Sequence, residues 1–509
     1  MGIISPLWRA PAVNPTNGKA RSIPILNPVD KHGRVFFFST FGFMIAFLSW
    51  YAFPPLLTKT IRADLKLSQN EVANSNVLGL SATLLVRIVI GPLCDRYGPR
   101  YCFAGLLLAG AIPTAMAGLV QSASGLLVLR FFIGVLGGTF VPCQVWSTGF
   151  YDRNVVGTAN ALTAGIGNAG GGITYFLMPA IFDFLVERHG LTPHKAWRVA
   201  FIVPFVLITA TALGMLFLCE DTPTGPWSER SDRVRENVQK LADGVTVDAT
   251  GRFTDVPTQT NDTLSAPPVS TPADGKKGSD SSVDVEIITQ TEVIHELTTN
   301  EVMEVIFSRQ CLMLSIPYAC SFGGELTINS ILGSYYYKNF HHLGQTKSGR
   351  WASMFGLLNV FFRPIGGIIA DIIYKKTHSV WWKKHWLIFL GVAQGSVCLA
   401  LGLINPHRKS IMFGLVAGLA FFMDAANEAN FAVVPHVYPY ANGVLSGMIG
   451  AAGNLGGVIF SIIFRYHDTR YDKAIWIMGV VMITLNIAVA WIRPVPKGFT
   501  DSRYLLSRP

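Results

Sequence analysis

Charge is what this chain has least of. Only 14% of its 509 residues are Asp, Glu, Lys or Arg, against 50% apolar, and the mean hydropathy is +0.38. Soluble domains carry about 25% charged residues, so a soluble protein of this size is excluded. Cysteine is scarce too. Cys94, Cys102, Cys143, Cys219, Cys311, Cys320 and Cys398 fall mostly within apolar segments, in no paired spacing that reads as a metal site or a disulfide framework, and are expected to be packing residues. The sequence also lacks a nucleotide-cradling glycine loop after a strand, metal-ligand spacing and a nucleophile–base constellation. An enzyme is therefore the least expected reading, and no metal or cofactor is expected. The first thirty residues carry Arg9, Lys19, Arg21 and several prolines, without an apolar core before a small-residue cleavage site. They read as a soluble tail and not as a signal peptide.

What fills the chain instead is apolar runs of bilayer length. Candidate helices lie near 35–56, 71–94, 101–121, 124–147, 156–179 and 197–219, and again near 307–337, 350–373, 385–404, 409–434, 442–464 and 473–493. The expected fold is all-α and polytopic, with twelve transmembrane helices in two six-helix repeats. Its parts are an N-terminal tail (1–34), a first half (35–219), a central loop (220–305), a second half (306–494) and a C-terminal tail (495–509). The loop is rich in Ser, Thr, Asp, Lys and Pro, has too little apolar surface to order itself, and is expected to be mostly disordered. The net charge of +10 is spread over loops between spans, where it reads as a topology signal and as contact with anionic lipid, not nucleic acid. Arg96, Arg100, Lys375, Lys376, Lys383 and Lys384 cluster at span ends on one side. By the positive-inside rule both termini and the central loop are expected in the cytosol. The sequon Asn261-Asp-Thr263 should then stay unmodified.

Buried charge is the informative exception. Arg87-Ile-Val-Ile-Gly91-Pro-Leu-Cys-Asp95 recurs as Arg363-Pro-Ile-Gly-Gly367-Ile-Ile-Ala-Asp371. An arginine at the bilayer centre costs at least ~2.5 kcal/mol, so it persists where it faces a protein interior and acts there. Two of them point to an anion. A second pair matches as well: Asn168 stands in a glycine-rich run from Gly157 to Gly171, and Asn454 in one from Gly443 to Gly457. At a rise of about 1.5 Å per residue, Arg87 and Arg363 lie about 12 Å from the inner span ends and Asn168, Asn454 and Tyr318 at about 16 Å. Five helices thus bring polar groups to one plane. The glycine stripes alone read equally as packing seams. A buried ion pair is the alternative for the arginines: no carboxylate stands within a helical turn of either, and a partner on another helix stays open. The loop Gly91, Asp95, Arg96, Gly98 and Arg100, with Gly367 and Asp371, reads as a conformational latch at the membrane edge.

These motifs carry a resemblance. Gly-x-x-x-Asp-Arg-x-Gly-x-Arg from Gly91 to Arg100, with its degenerate copy from Gly367 to Lys376, resembles the major facilitator superfamily. The stretches Ala164–Gly170 and Gly450–Gly457 are similar to the paired signatures of its nitrate/nitrite porter family, and Arg87 and Arg363 stand where that family has its two substrate arginines. Glu220-Asp-Thr-Pro-Thr-Gly-Pro-Trp227 and the long central loop resemble the fungal high-affinity nitrate transporters. The resemblance implies a secondary transporter of the plasma membrane that imports nitrate, and nitrite too, with Asn168, Asn454, Tyr318 and Phe140 lining the anion site.

The chemistry fits that implication. A guanidinium is a flat fork of donors that pairs with two coplanar oxygens, which lysine cannot do. An inside-negative potential opposes anion influx by ~2.3 kcal/mol per 100 mV, so uptake needs a driving ion. The resemblance implies protons, for which the titratable groups within spans, Glu325, Asp424 and Glu428, are candidates. They read equally as helix–helix hydrogen-bonding groups. The alternatives are a nitrate/nitrite exchanger and a non-transporting nitrate receptor signalling through the 220–305 loop. Serines beside acids, as in Gly278-Ser-Asp-Ser-Ser-Val-Asp284, make kinases expected partners of that loop.

Overall fold

A computed structural model describes residues 7–57, 59–152, 155–242, 246–247, 253–254, 298–438 and 441–496. Among these, twelve helices are long and apolar enough to cross a membrane: α1 Lys31–Leu57, α2 Gln69–Tyr97, α3 Pro99–Leu119, α4 Ala123–Phe150, α5 Val156–Glu187, α6 Pro193–Leu218, α7 Arg309–Asn339, α8 His341–Thr377, α9 Val380–Ile404, α10 Lys409–His436, α11 Gly443–His467 and α12 Tyr471–Val489. The protein is an all-α, multi-pass membrane protein of two six-helix halves. Several spans run past the apolar stretch that announces them. α5 continues to Glu187 and α8 begins at His341, because a helix keeps its backbone bonded into the interfacial region, where polar side chains such as Asp183 and Thr346 find partners.

Local chemistry sets the helix ends. Asp30 caps α1 through the amides of His32 and Gly33. Ser68 and Glu71 form a capping box at the start of α2, and Ser308 caps α7. At Gly98, which ends α2, φ is +89°, a backbone setting that glycine adopts freely. Three spans are interrupted, α4 and α8 where they border the centre and α1 nearer the face opposite the termini. α1 stops as a regular helix at Trp50 and resumes over Pro54–Leu57. α4 tightens to a 3₁₀ turn over Gly134–Thr139, and α8 has a joint at Leu358.

An even number of spans brings the start of α1 and the end of α12 to one face, here the termini face. The halves meet along α5 with α8 and α2 with α11. Along the first seam Gly172 lies against Gly356 so closely that a Cβ on either would strike backbone. Both ends of the seams are shut. On the termini face the Asp95 carboxylate stands at Gly443 and the Asp371 carboxylate at Gly157. On the opposite face Gln345 Nε2 donates to Thr60 Oγ1 (3.3 Å), Thr346 Oγ1 to Asp183 Oδ2 (3.4 Å) and Gln69 Nε2 to the Tyr471 hydroxyl (3.3 Å). The conformation is occluded.

Order reaches further into the central loop and the N-terminal tail than their composition suggests. Residues 219–242 include a helix, Arg230–Ala242, and are anchored by one aromatic: Trp227 packs on Gly98 and its Nε1 donates to the Asp95 carbonyl at 2.8 Å. Arg100 pairs with Asp221 at 2.6 Å. The tail joins this collar. Asn237 Nδ2 donates to Thr16 O (3.2 Å), Lys31 Nζ to Pro223 O (2.8 Å), and Ala20 bridges to Tyr151. A few such anchors suffice where the apolar count of the whole loop does not. Thr246–Val247 and Phe253–Thr254 pair as two short antiparallel strands. The sequon at Asn261, the serines at 279–282 and residues 497–509 lie outside the described residues.

Candidate functional site

Arg87 and Arg363 are both fully buried, at 0% exposure, and they are held by different kinds of partner. Arg87 Nε donates to Gly137 O (2.9 Å) in the 3₁₀ turn of α4, and Nη1 to Gly450 O (3.2 Å) on α11. Its Nη2 is buried with no hydrogen-bond partner. Arg363, just past the joint of α8, donates from Nη1 to Asn359 Oδ1 (3.3 Å) and from Nη2 to the Tyr318 hydroxyl (3.5 Å). Its Nη1 lies 3.9 Å from Glu325 Oε2, and its Nε lies 3.7 Å from Glu428 Oε2. The partner on another helix that the sequence leaves open therefore exists for Arg363. Among the described residues no carboxylate stands within ion-pair distance of Arg87.

Rings enclose the pair. The Arg87 guanidinium carbon is 5.1 Å from the centre of Phe140 and 5.0 Å from that of Phe322, and the Arg363 carbon is 5.8 Å from Phe322. One ring thus faces both cations. Phe322 stacks on Tyr318 (5.1 Å), Phe431 stands edge-on to Tyr318 (5.2 Å) and to Phe140 (5.4 Å), and Phe43 closes on Phe140 (5.5 Å). Such rings attract the cations and keep water out. Phe140, Tyr318, Arg87 and Arg363 are brought together. Asn454 joins them through Gly450, whose carbonyl accepts from both Asn454 Nδ2 (2.9 Å) and Arg87 Nη1 (3.2 Å). Asn168 makes the matching bond within its own helix, Nδ2 to Ala164 O at 2.9 Å. No hydrogen bond among the described residues joins Asn168 to either arginine. Each asparagine keeps a second amide hydrogen free of this bond, and each Oδ1 is buried without a partner.

The carboxylates form a group on the Arg363 side. Glu325 accepts from Asn359 Nδ2 (3.0 Å) at Oε1 and from Asn427 Nδ2 (2.6 Å) at Oε2. Both oxygens of Asp424 are buried without a partner. Counting Arg87 and Arg363 against Glu325, Asp424 and Glu428 gives a formal charge of 2 − 3 = −1 with every group ionised. The site can attract an anion only through its local donors or by taking up a proton.

At the membrane edge, Asp95 and Asp371 present negative charge to the first turns of α11 and α5, the positive ends of those helices. Gly91 faces the Gly443 carbonyl, and Gly367 packs on the Glu428 side chain and on Ala161. Lys383 Nζ pairs with Asp371 Oδ1 at 2.9 Å. On the other half Trp227 covers Gly98, and Arg230 lies over that indole at 4.1 Å. The Arg96 guanidinium lies over the Tyr97 ring at 5.3 Å, and Arg100 reaches the Cys219 carbonyl.

Sequence reasoning passed over Phe322, Phe431, Asn359 and Asn427. Phe322 carried a usable signal, since it follows Tyr318 by one turn and shares its face. The others announce themselves only once α8 and α10 are packed against α7. A third buried arginine, Arg130 on α4, was also missed.

A family model described as the Major Facilitator Superfamily matches residues 39–461. Elsinochrome transporter 1 of Elsinoe fawcettii is 35% identical over 508 residues, spanning 97% of this chain and 99% of that one. High affinity nitrate transporter 2.5 of Arabidopsis thaliana is 30% identical over 508 residues, spanning 96% and 87%. A nitrate/nitrite transporter of Nostoc punctiforme is 24% identical, spanning 90% and 91%. Among solved structures, a bacterial homolog of the human lysosomal transporter Spinster, in an inward-facing and occupied conformation, superposes with a TM-score of 0.57 over 91% of this chain and 96% of that one at 13% identity, a likeness of fold.

Proposed function

Because the chain belongs to the Major Facilitator Superfamily, a family of transporters and not of enzymes, we propose that it carries nitrate, and nitrite too, across the plasma membrane by proton symport. Both termini then lie in the cytosol. The observation that carries this reading is the pair of fully buried guanidiniums, one from each half, facing a single ring, Phe322. A flat monovalent oxyanion suits them, because each guanidinium presents its donors in a plane and the Nη2 of Arg87 is buried without a partner. The free amide hydrogens of Asn168 and Asn454 bond the remaining oxygen.

The charge count supports a proton as the coupled ion. A carboxylate beside Arg363 competes with the anion for the same guanidinium. A proton on Glu325 or Glu428 removes that competitor and offsets the incoming charge, so anion and proton load together. Glu325 is the first choice because it links α7, α8 and α10 through Asn359 and Asn427.

The relative named Elsinochrome transporter 1 favours a second reading, an organic cargo. The full burial of both arginines weighs for a cargo small enough to be enclosed. Labelled nitrate binding to the purified protein decides. Saturable binding that is lost in Arg87→Lys supports the nitrate reading, and no saturable binding overturns it.

A further inference from the structure

Arg130 is the third fully buried arginine, at 1% exposure. It stands seven residues into α4, about 10 Å from the face opposite the termini. Nη1 donates to Trp50 O (2.9 Å) and Nη2 to Asn76 Oδ1 (2.8 Å), and the guanidinium carbon is 5.2 Å from the Trp50 ring and 5.5 Å from that of Phe53. Its Nε is buried without a partner. Among the described residues no carboxylate pairs with it. Trp50 O ends the first helical piece of α1, and the negative end of that helix offsets part of the charge. That bond explains how the side chain is held. It does not explain a full cation, since a neutral donor would cap the same carbonyl at a smaller desolvation cost.

Its surroundings straddle the two halves. Tyr51 follows Trp50, and its hydroxyl donates across the seam to Leu326 O on α7 (3.4 Å). The hydroxyl of Tyr175 on α5 donates to Asn329 O, also on α7 (2.6 Å). Both phenols thus bond one turn of α7, and Tyr51 is the residue next to the Trp50 carbonyl that Arg130 holds. These bonds belong to the shut face opposite the termini, and parting the halves there breaks them. Two hydroxyl donors are then released on the seam near a guanidinium that no carboxylate among the described residues pairs with. Asn76 precedes Arg87 by eleven residues on α2, so this cluster stands about 16 Å above the central pair along the membrane normal.

We propose that Arg130, with the hydroxyls of Tyr51 and Tyr175, forms a second, outer anion site that receives a small monovalent oxyanion before it passes to Arg87 and Arg363. The inference rests on the nitrate reading. A cation focusing its field at the mouth of a low-dielectric cleft raises the local anion concentration and the rate of capture. Its removal therefore acts on apparent affinity from the outer side more than on maximal rate.

The test is labelled nitrate uptake by proteoliposomes of the full chain, with surface abundance normalised. In Arg130→Gln the apparent affinity from the outer face weakens about tenfold, the low end of electrostatic capture effects, the maximal rate falls by less, and the dependence of uptake on ionic strength flattens. Arg130→Lys recovers most of the affinity. A maximal rate that falls at unchanged affinity marks Arg130 as a structural cap and overturns the outer site. Should Arg130→Gln fail to reach the membrane, Tyr51→Phe combined with Tyr175→Phe carries the same readout, and unchanged affinity in that variant overturns the proposal. Wild-type protein with no saturable nitrate uptake overturns the nitrate reading and the outer site with it. Wild-type uptake matched in affinity by Arg130→Gln overturns the outer site alone.

Discussion

Arg363 Nη1 lies 3.9 Å from Glu325 Oε2, while Arg87, its counterpart in the other half, has no carboxylate at ion-pair distance among the described residues. The two halves repeat a motif but not its electrostatics. The first half supplies a cation held by backbone carbonyls, and the second supplies a cation whose charge depends on what its acids carry.

That asymmetry predicts different outcomes for the two lysine variants. Arg87→Lys loses the planar fork, with donors bonded to a charged partner worth about 1.5–3 kcal/mol each, and nitrate affinity should fall at least about tenfold. Arg363→Lys also loses the fork, but the ammonium remains beside Glu325 and Glu428, so its residual uptake should depend more steeply on pH. Uptake kinetics across external pH, at equal surface abundance, check both. Wild-type affinity in either variant rules out the proposed site.

Glu325→Gln keeps size and hydrogen bonding while removing the titratable group. It should abolish accumulation driven by a pH gradient while nitrate binding is retained or tightened, because a competitor for Arg363 is gone. Accumulation against binding in the same preparation separates the two effects. If proton-driven accumulation survives, Glu428 and Asp424 are the next residues to test.

The central loop should divide by function. Deleting about residues 245–295 should leave transport per molecule nearly intact, since the anchors of the collar, Asp221, Trp227 and Asn237, all precede the cut. Trp227→Ala removes the bond to the Asp95 carbonyl and the cover on Gly98, and should raise the labelling of a cysteine placed at Gly443 from the termini face. Unchanged labelling would show that the collar does not bear on the inner seam. Gly98→Ala should be worse for folding: its φ of +89° and a Cβ 3.0 Å from the Trp227 ring together cost about 1–3 kcal/mol, read as lost surface abundance.

Orientation has its own assay. With the loop in the cytosol, Asn261 remains unglycosylated. An endoglycosidase-sensitive mass shift that disappears in Asn261→Gln would invert the topology.

Much of this was legible in the sequence, for identifiable reasons. Span number follows from runs of bilayer length, and the plane of Arg87, Arg363 and Tyr318 from counting residues to span ends, because a membrane makes depth nearly a linear function of sequence. What depth cannot supply is azimuth. Whether Glu428 on α10 turns toward Arg363 is set by helix packing, and so is the placing of Phe322 between two cations. Asn168 and Asn454 match in motif and depth, yet only Asn454 shares a carbonyl with an arginine, a difference that helix packing sets. The ordered collar was hidden because a single anchor, Trp227, outweighs the average composition of the loop it begins.

The most direct test of the central claim is nitrate-evoked current in liposomes containing the purified protein, with pH gradient and voltage imposed separately and labelled nitrate counted in parallel. Coupled loading of protons with nitrate predicts accumulation driven by a pH gradient at zero voltage, electrically silent at one proton per nitrate and accompanied, at more than one, by an inward, depolarising current that grows as external pH falls. Uptake that is electrically silent, indifferent to the pH gradient and dependent on internal nitrite would contradict it and leave an exchanger in its place.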